Sequence, residues 1–178
     1  MEHPLELLKK ALTIFRRSPS AALRSLWDVL QKVPGGGRVM GRLVGRMAPY
    51  TGSIQPEVVE LRAGYAKIRM KDRPGLRNHL GSVHAIALMN LGEVATGTAV
   101  LMALPEDARA IIVHLGMDYL KKARGTITAE CVLELPENLG SEKQELSLTA
   151  DLTDAAGDVV ARAEARWLVG PARPVAPN

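Results

Sequence analysis

The chain has 178 residues, 47% hydrophobic and 24% charged, which suits one globular domain with a full core and excludes a disordered chain. Aromatic residues make up only 3% and there is a single cysteine, which argues against a stacking platform for single-stranded nucleic acid and against a disulfide framework; a reducing cytoplasm fits. The net charge of +4 is uneven, because residues 1–50 hold nine Lys/Arg against three Asp/Glu while residues 51–178 hold fourteen against sixteen.

Residues 4–17 set Leu5, Leu8, Leu12 and Phe15 at helical spacing, with no uninterrupted apolar run of the kind a secretory signal needs. "SPSAALRSLWDVLQKV" repeats the pattern through Leu23, Leu26, Trp27 and Leu30 behind a serine cap, and "PGGG" at 34–37 ends it. "RVMGRLVGRMAPY" offers a third short amphipathic helix with Met40, Leu43, Val44 and Met47. Such basic helices either pack their apolar stripe on the following domain or lie on an anionic membrane. Packing is the expectation, and peripheral membrane contact the alternative.

From residue 57 the period becomes two. Val59 and Leu61, then Ala66, Ile68 and Met70, mark two strands joined by a tight turn at "RAG". Residues 83–103 are apolar on every side; about twenty residues span roughly 30 Å, enough to cross a bilayer. Asn90 and Glu93 lie at the centre of that segment, where lipid penalises an acid, so a core helix is expected instead. Beyond Pro105 come four strand patterns, "RAIIVHLGMDYL", "TITAECVLEL", "QELSLTADLT" and "DVVARAEARWLV", read as a meander. Cys131 alternates with Ile127, Ala129 and Leu133, as a small apolar strand residue and not a nucleophile. In the last strand Val159, Ala161, Ala163, Ala165 and Trp167 are the inward candidates, opposite a mostly charged face. The fold class is α+β: one antiparallel sheet wrapped round a long central helix, with extra helices in front. The expected divisions are a helical extension over 1–47, the sheet-and-helix domain over 48–170 and a tail over 171–178.

At "NHLGSVHAIALMNLGE" the sequence resembles hotdog-fold acyl-CoA thioesterases of the phenylacetate-pathway type, in which Asn, Gly and His precede a helix carrying an acid nine residues after the His. Those positions are Asn78, Gly81, His84 and Glu93, and the resemblance covers about residues 48–168. "APYTGSI", "NHLGSVHAIAL" and "YLKKARG" are similar to a bacterial branch of hotdog proteins. The resemblance implies an acyl thioester substrate, CoA only as part of that substrate, no other cofactor, and a homodimer or dimer of dimers. Where those thioesterases carry Gly-Gly after the His, this chain has Ala85-Ile86.

The chemistry follows from the helix start. Ser82 is the candidate cap, which would leave amides at 83–85, including Ala85, to hold a developing oxyanion at the positive end of the helix. Glu93, in apolar surroundings, should have a raised pKa and could act as base toward water or as nucleophile; the alternative is a structural acid bonded to Asn90, Thr96 or a partner. Nine residues separate His84 and Glu93, roughly 13 Å of rise, so one helix cannot present both to one carbonyl and catalysis would need a dimer. Asn78 either orients water or substrate or forms a loop turn. His79 and His84 suit helix-entry polar positions better than a metal pair, and His114 suits packing or surface. Lys121, Lys122 and Arg124 lie, by resemblance, near the nucleotide of acyl-CoA; a solvated turn is the other reading. A hydratase motif is absent, and only the basic N-terminal part speaks for nucleic acid.

Overall fold

The computed structural model describes residues 18–172. In chain order it holds α1 (Pro19–Leu30), α2 (Gly36–Met47), the short α3 (Pro49–Gly52), β1 (Glu57–Arg62), β2 (Tyr65–Met70), a 3-10 turn (Pro74–Leu76), α4 (Ala85–Ala103), β3 (Ala108–Tyr119), β4 (Ile127–Val132), β5 (Gln144–Thr153) and β6 (Val159–Pro171). The helix at Leu5–Phe15 expected from sequence lies outside the described residues.

The six strands form one antiparallel sheet in the order β1-β2-β4-β5-β6-β3. The sheet curls round α4, whose Leu88, Leu91, Ala95, Ala99 and Val100 are at most 3% exposed. That helix is long and apolar enough to cross a membrane, yet 72% of its most apolar window is buried inside the fold. It is a core helix, and its all-round hydrophobicity follows from having walls on most sides.

One topological expectation is corrected. Only β4, β5 and β6 form a meander; β3 pairs with β6 at the far edge and not with β4. The 120–126 link instead crosses the end of the sheet over the start of α4, held where Leu120 and Lys121 N–H groups donate to Val160 O and Val83 N–H donates to Ala123 O. The inward set of β6 also shifts. Leu152 pairs with Ala161 and Thr153 with Val159, so Val160 is an extra residue in the ladder and is fully buried beside Ala161. Strict alternation resumes at Ala163. Cys131 is buried in β4, as its spacing indicates, and burial pushes its thiol up to about 12.

The helices in front share this core. Ser18 caps α1 by accepting from Ala21 N–H at 3.3 Å, and Leu23 and Trp27 are buried behind it. Trp27 Nε1 donates to Leu61 O at 3.1 Å and Arg24 to Leu104 O at 2.7 Å, pinning α1 to β1 and to the end of α4. Helix α2 buries Met40, whereas Leu43, expected inward, stays partly exposed. The face of α2 that meets β1 carries no side chains. A Cβ at Gly37 would stand 2.0 Å from Val58 O and one at Gly41 1.7 Å from Pro56 O. Backbone therefore lies against backbone, and α2 covers the β1 edge of the sheet.

Candidate active site

Residues 77–84 enter α4 as a tight loop closed by its own hydrogen bonds. Asn78 Oδ1 accepts from Leu80 N–H (2.9 Å), Ser82 N–H (3.2 Å) and Ser82 Oγ (3.1 Å), so its carboxamide oxygen builds the turn and only its Nδ2 is left to meet a ligand. Gly81 stands in the left-handed region at φ 68 inside that turn, which favours glycine there. Arg77 and Val83 form a bridge, and His84 N–H donates to Leu76 O at 2.7 Å. These bonds hold 83–84 extended and delay the helix to Ala85. The cap is therefore His84 and not Ser82: its Nδ1 accepts from Ile86 N–H at 3.1 Å, which places the ring proton on Nε2.

The supply of free amides narrows accordingly. Val83 N–H goes to Ala123 O, His84 N–H to Leu76 O, Ile86 N–H to the His84 ring, and Ala87 and Leu88 N–H to His84 O. Among the described residues none accepts from Ala85 N–H. One amide, not three, is open at the positive end of a 19-residue helix.

Glu93 sits on the one stripe of α4 that the sheet leaves open. Ile86 is 48% exposed, Met89 and Glu93 are half-buried, and these three recur at the spacing of a single helix face. Burial among apolar atoms holds the Glu93 carboxyl above its ordinary range. Its expected intrachain partners are engaged elsewhere. Asn90 Nδ2 donates to Tyr50 O at 3.0 Å, while the Thr96 hydroxyl bonds to the backbone oxygens of Gly92 and Glu93 and accepts from Trp167 Nε1 at 3.3 Å. No described residue forms a hydrogen bond or ion pair with the carboxylate.

A groove of about 350 Å³ lies over the helix entrance, lined in part by Asn78, Ser82, Ala85, Tyr119, Lys121 and Lys122. The fold thus gathers five of the nine sequence candidates; His84 and Gly81 frame the same loop, and Arg124 is exposed nearby on the link. Glu93 does not line this groove. Lys121 is bound to Asp158 and lies 3.6 Å from Asp154, so it is already paired with carboxylates, whereas Lys122 and Arg124 are exposed cations of the link. Two residues were not anticipated. Tyr119 lines the groove and donates to Ala85 O at 3.1 Å, and burial raises its hydroxyl pKa. Asp72 accepts from Nε and Nη2 of Arg77, at 2.8 and 3.1 Å, and from Gly125 N–H at 3.1 Å, clamping the entry loop to the link; the Arg77 bonds hold its carboxyl below the ordinary range. Nothing local in "MKDRPG" or "GMDYL" marks either one, because both act across long sequence separations. His114 is exposed on β3, and among the described residues no group of three or more His, Cys, Asp and Glu could hold a metal ion.

The family described as "Domain of unknown function (DUF4442)" matches residues 36–169. The chain belongs to that family. A structural-genomics crystal structure is 31% identical, with a TM-score of 0.71, and the match covers 84% of this chain and 98% of that one. A Pseudomonas aeruginosa protein of unknown function, described as a probable thioesterase, is 26% identical over 77% of this chain and 95% of its own, with a TM-score of 0.66. A mutant thioesterase from Staphylococcus aureus shares the fold at 12% identity and a TM-score of 0.61, covering 69% of this DUF4442 chain and 99% of its own. No curated protein matches the sequence. The hotdog fold and the resemblance to hotdog thioesterases are borne out.

Proposed function

We propose that this DUF4442 protein is a thioesterase-like hydrolase of acyl-CoA or a related acyl thioester, working at the interface of a homodimer. The observation that carries the reading is Glu93, a carboxylate with a raised pKa and no intrachain partner among the described residues, on the stripe of the central helix that the sheet leaves open. Burying an acid without a partner is costly, and a group so placed is a candidate base or nucleophile.

The sheet supports the dimer. Its β1 edge is covered by α2, whereas β3, twelve residues long, pairs only with β6 among the described residues and exposes Ile111 (63%) and Val113 (47%). An open apolar edge invites a second strand. Antiparallel pairing of two β3 strands about a two-fold axis reverses the direction of the partner's α4, so that each Glu93 can approach the other helix's start.

The chemistry is hydrolysis. Glu93 takes a proton from water, the resulting oxygen nucleophile attacks the thioester carbon, and Ala85 N–H stabilises the oxyanion at the positive end of α4. The C–S bond then breaks; the thiol leaves with a proton and the acyl group leaves as a carboxylic acid. Lys122 and Arg124 would face the phosphates of the carrier. With purified protein and an acyl-CoA panel, thiol release should fall about a hundredfold or more in Glu93→Gln, the size expected for a lost general base. Full turnover in that variant would remove Glu93 from the mechanism.

A second reading, an acyl-CoA or fatty-acyl binding protein without turnover, is favoured by Ile86, which is 48% exposed where the thioesterases have glycine. Calorimetric binding with no thiol release from any acyl-CoA would select it.

A further inference from the structure

We propose that α2 is a docking surface for an anionic lipid bilayer; this does not rest on the hydrolase reading. At about 100° per residue, α2 divides into sectors. Gly37, Gly41 and Gly45 meet the backbone of residues 52–58, and Met40 points into the core. Between them and solvent stand Arg38, Arg42 and Arg46, all exposed, at successive i, i+4 positions. Beside that stripe lie Val39, 41% exposed, and the half-buried Leu43.

Residues 36–52 contain three arginines and no acid. Arg38 reaches Glu57 at 3.4 Å, and no carboxylate of the described residues pairs with Arg42 or Arg46. With Lys71 these arginines line a groove of about 890 Å³ together with Leu43, Pro49, Ile54 and one acid, Glu57, which is paired with Arg38 and Arg69. A solvated helix ordinarily sets Glu against Arg at i, i+4, because like charges at that spacing repel. Here, among the described residues, no acid offsets the repulsion between Arg42 and Arg46, and the glycine contacts hold the helix so that the stripe cannot turn away.

The interleaved apolar groups point to lipid and not to nucleic acid. Val39 and Leu43, with Tyr50 (66% exposed) just past Arg46, have no role against a phosphodiester backbone. At a bilayer surface they enter the headgroup layer while the guanidinium groups meet lipid phosphates. Residues 1–17 add four basic residues against two acidic ones to the same end of the chain.

The test is sedimentation of the full chain with vesicles of phosphatidylglycerol in phosphatidylcholine, and with phosphatidylcholine alone. The protein should pellet with the first and not the second. A basic residue near such a surface is worth about fivefold in partitioning, so Arg42→Ala/Arg46→Ala should bind about thirtyfold more weakly, and Arg42→Lys/Arg46→Lys should bind as wild type. Thermal unfolding of each variant checks that the fold is intact. No association with anionic vesicles, an alanine variant that binds as wild type, or binding to duplex DNA with no binding to vesicles would each overturn the proposal.

Discussion

His84 is an uncommon cap, and its ring replaces the hydroxyl that Ser82 gives up to Asn78. Removing a cap costs about 1 kcal/mol, or a fall of roughly 2–4 °C in Tm for a chain of this size. Differential scanning calorimetry should show that loss in His84→Ala, and His84→Asn should recover most of it. Glu93 makes a pH prediction. Its carboxyl pKa is raised by burial, so the folded state favours the protonated acid. The favourable contribution is present at acid pH and is lost as pH rises through the raised value. Denaturant titrations should therefore find Glu93→Gln as stable as wild type in acid, and more stable than wild type above that titration. As a base, Glu93 also requires wild-type thiol release to fall as pH drops through the same range.

Among the elements, α2 is the most sensitive to added volume. Gly41→Ala places a methyl 1.7 Å from Pro56 O, a clash with backbone that only movement of the helix relieves. A destabilisation of about 1–3 kcal/mol is expected, read as a lower urea midpoint. The elements whose evidence is local were legible in the sequence. The β1–β2 hairpin shows itself by the period of Ala66, Ile68 and Met70, and α4 by a long apolar run interrupted in its middle only by short polar residues and Glu93. The place of β3 was not legible, because pairing with β6 is decided by a link crossing the sheet end and leaves no periodic mark. Within the site, Asn78, Gly81, His84 and Glu93 stand out by their resemblance to the hotdog thioesterase motif, and Glu93 also as an acid inside an apolar helix. Tyr119 and Asp72 do not, since their bonds join residues 34 and 53 positions away. The capping residue was misassigned for a similar reason. The bridge from Arg77 to Val83 overrides the serine preference.

At the scale of the whole molecule, the two rims of the sheet have different fates. Charged side chains on an edge discourage strand addition, so Ile111→Lys/Val113→Lys should lower the mass seen in analytical ultracentrifugation to that of one chain. Thiol release should disappear with it, although Glu93 and Ala85 are unchanged. Wild-type mass in that variant would place any association elsewhere. The glycine-lined contact of α2 with the first strand has a further effect on how far assembly can proceed. A ribbon with both borders available could add copies without end, as fibrils do. Closing one border with a helix whose glycine face meets it backbone to backbone would make strand addition self-terminating: under the proposed pairing, one further copy uses up the border that β3 leaves open among the described residues.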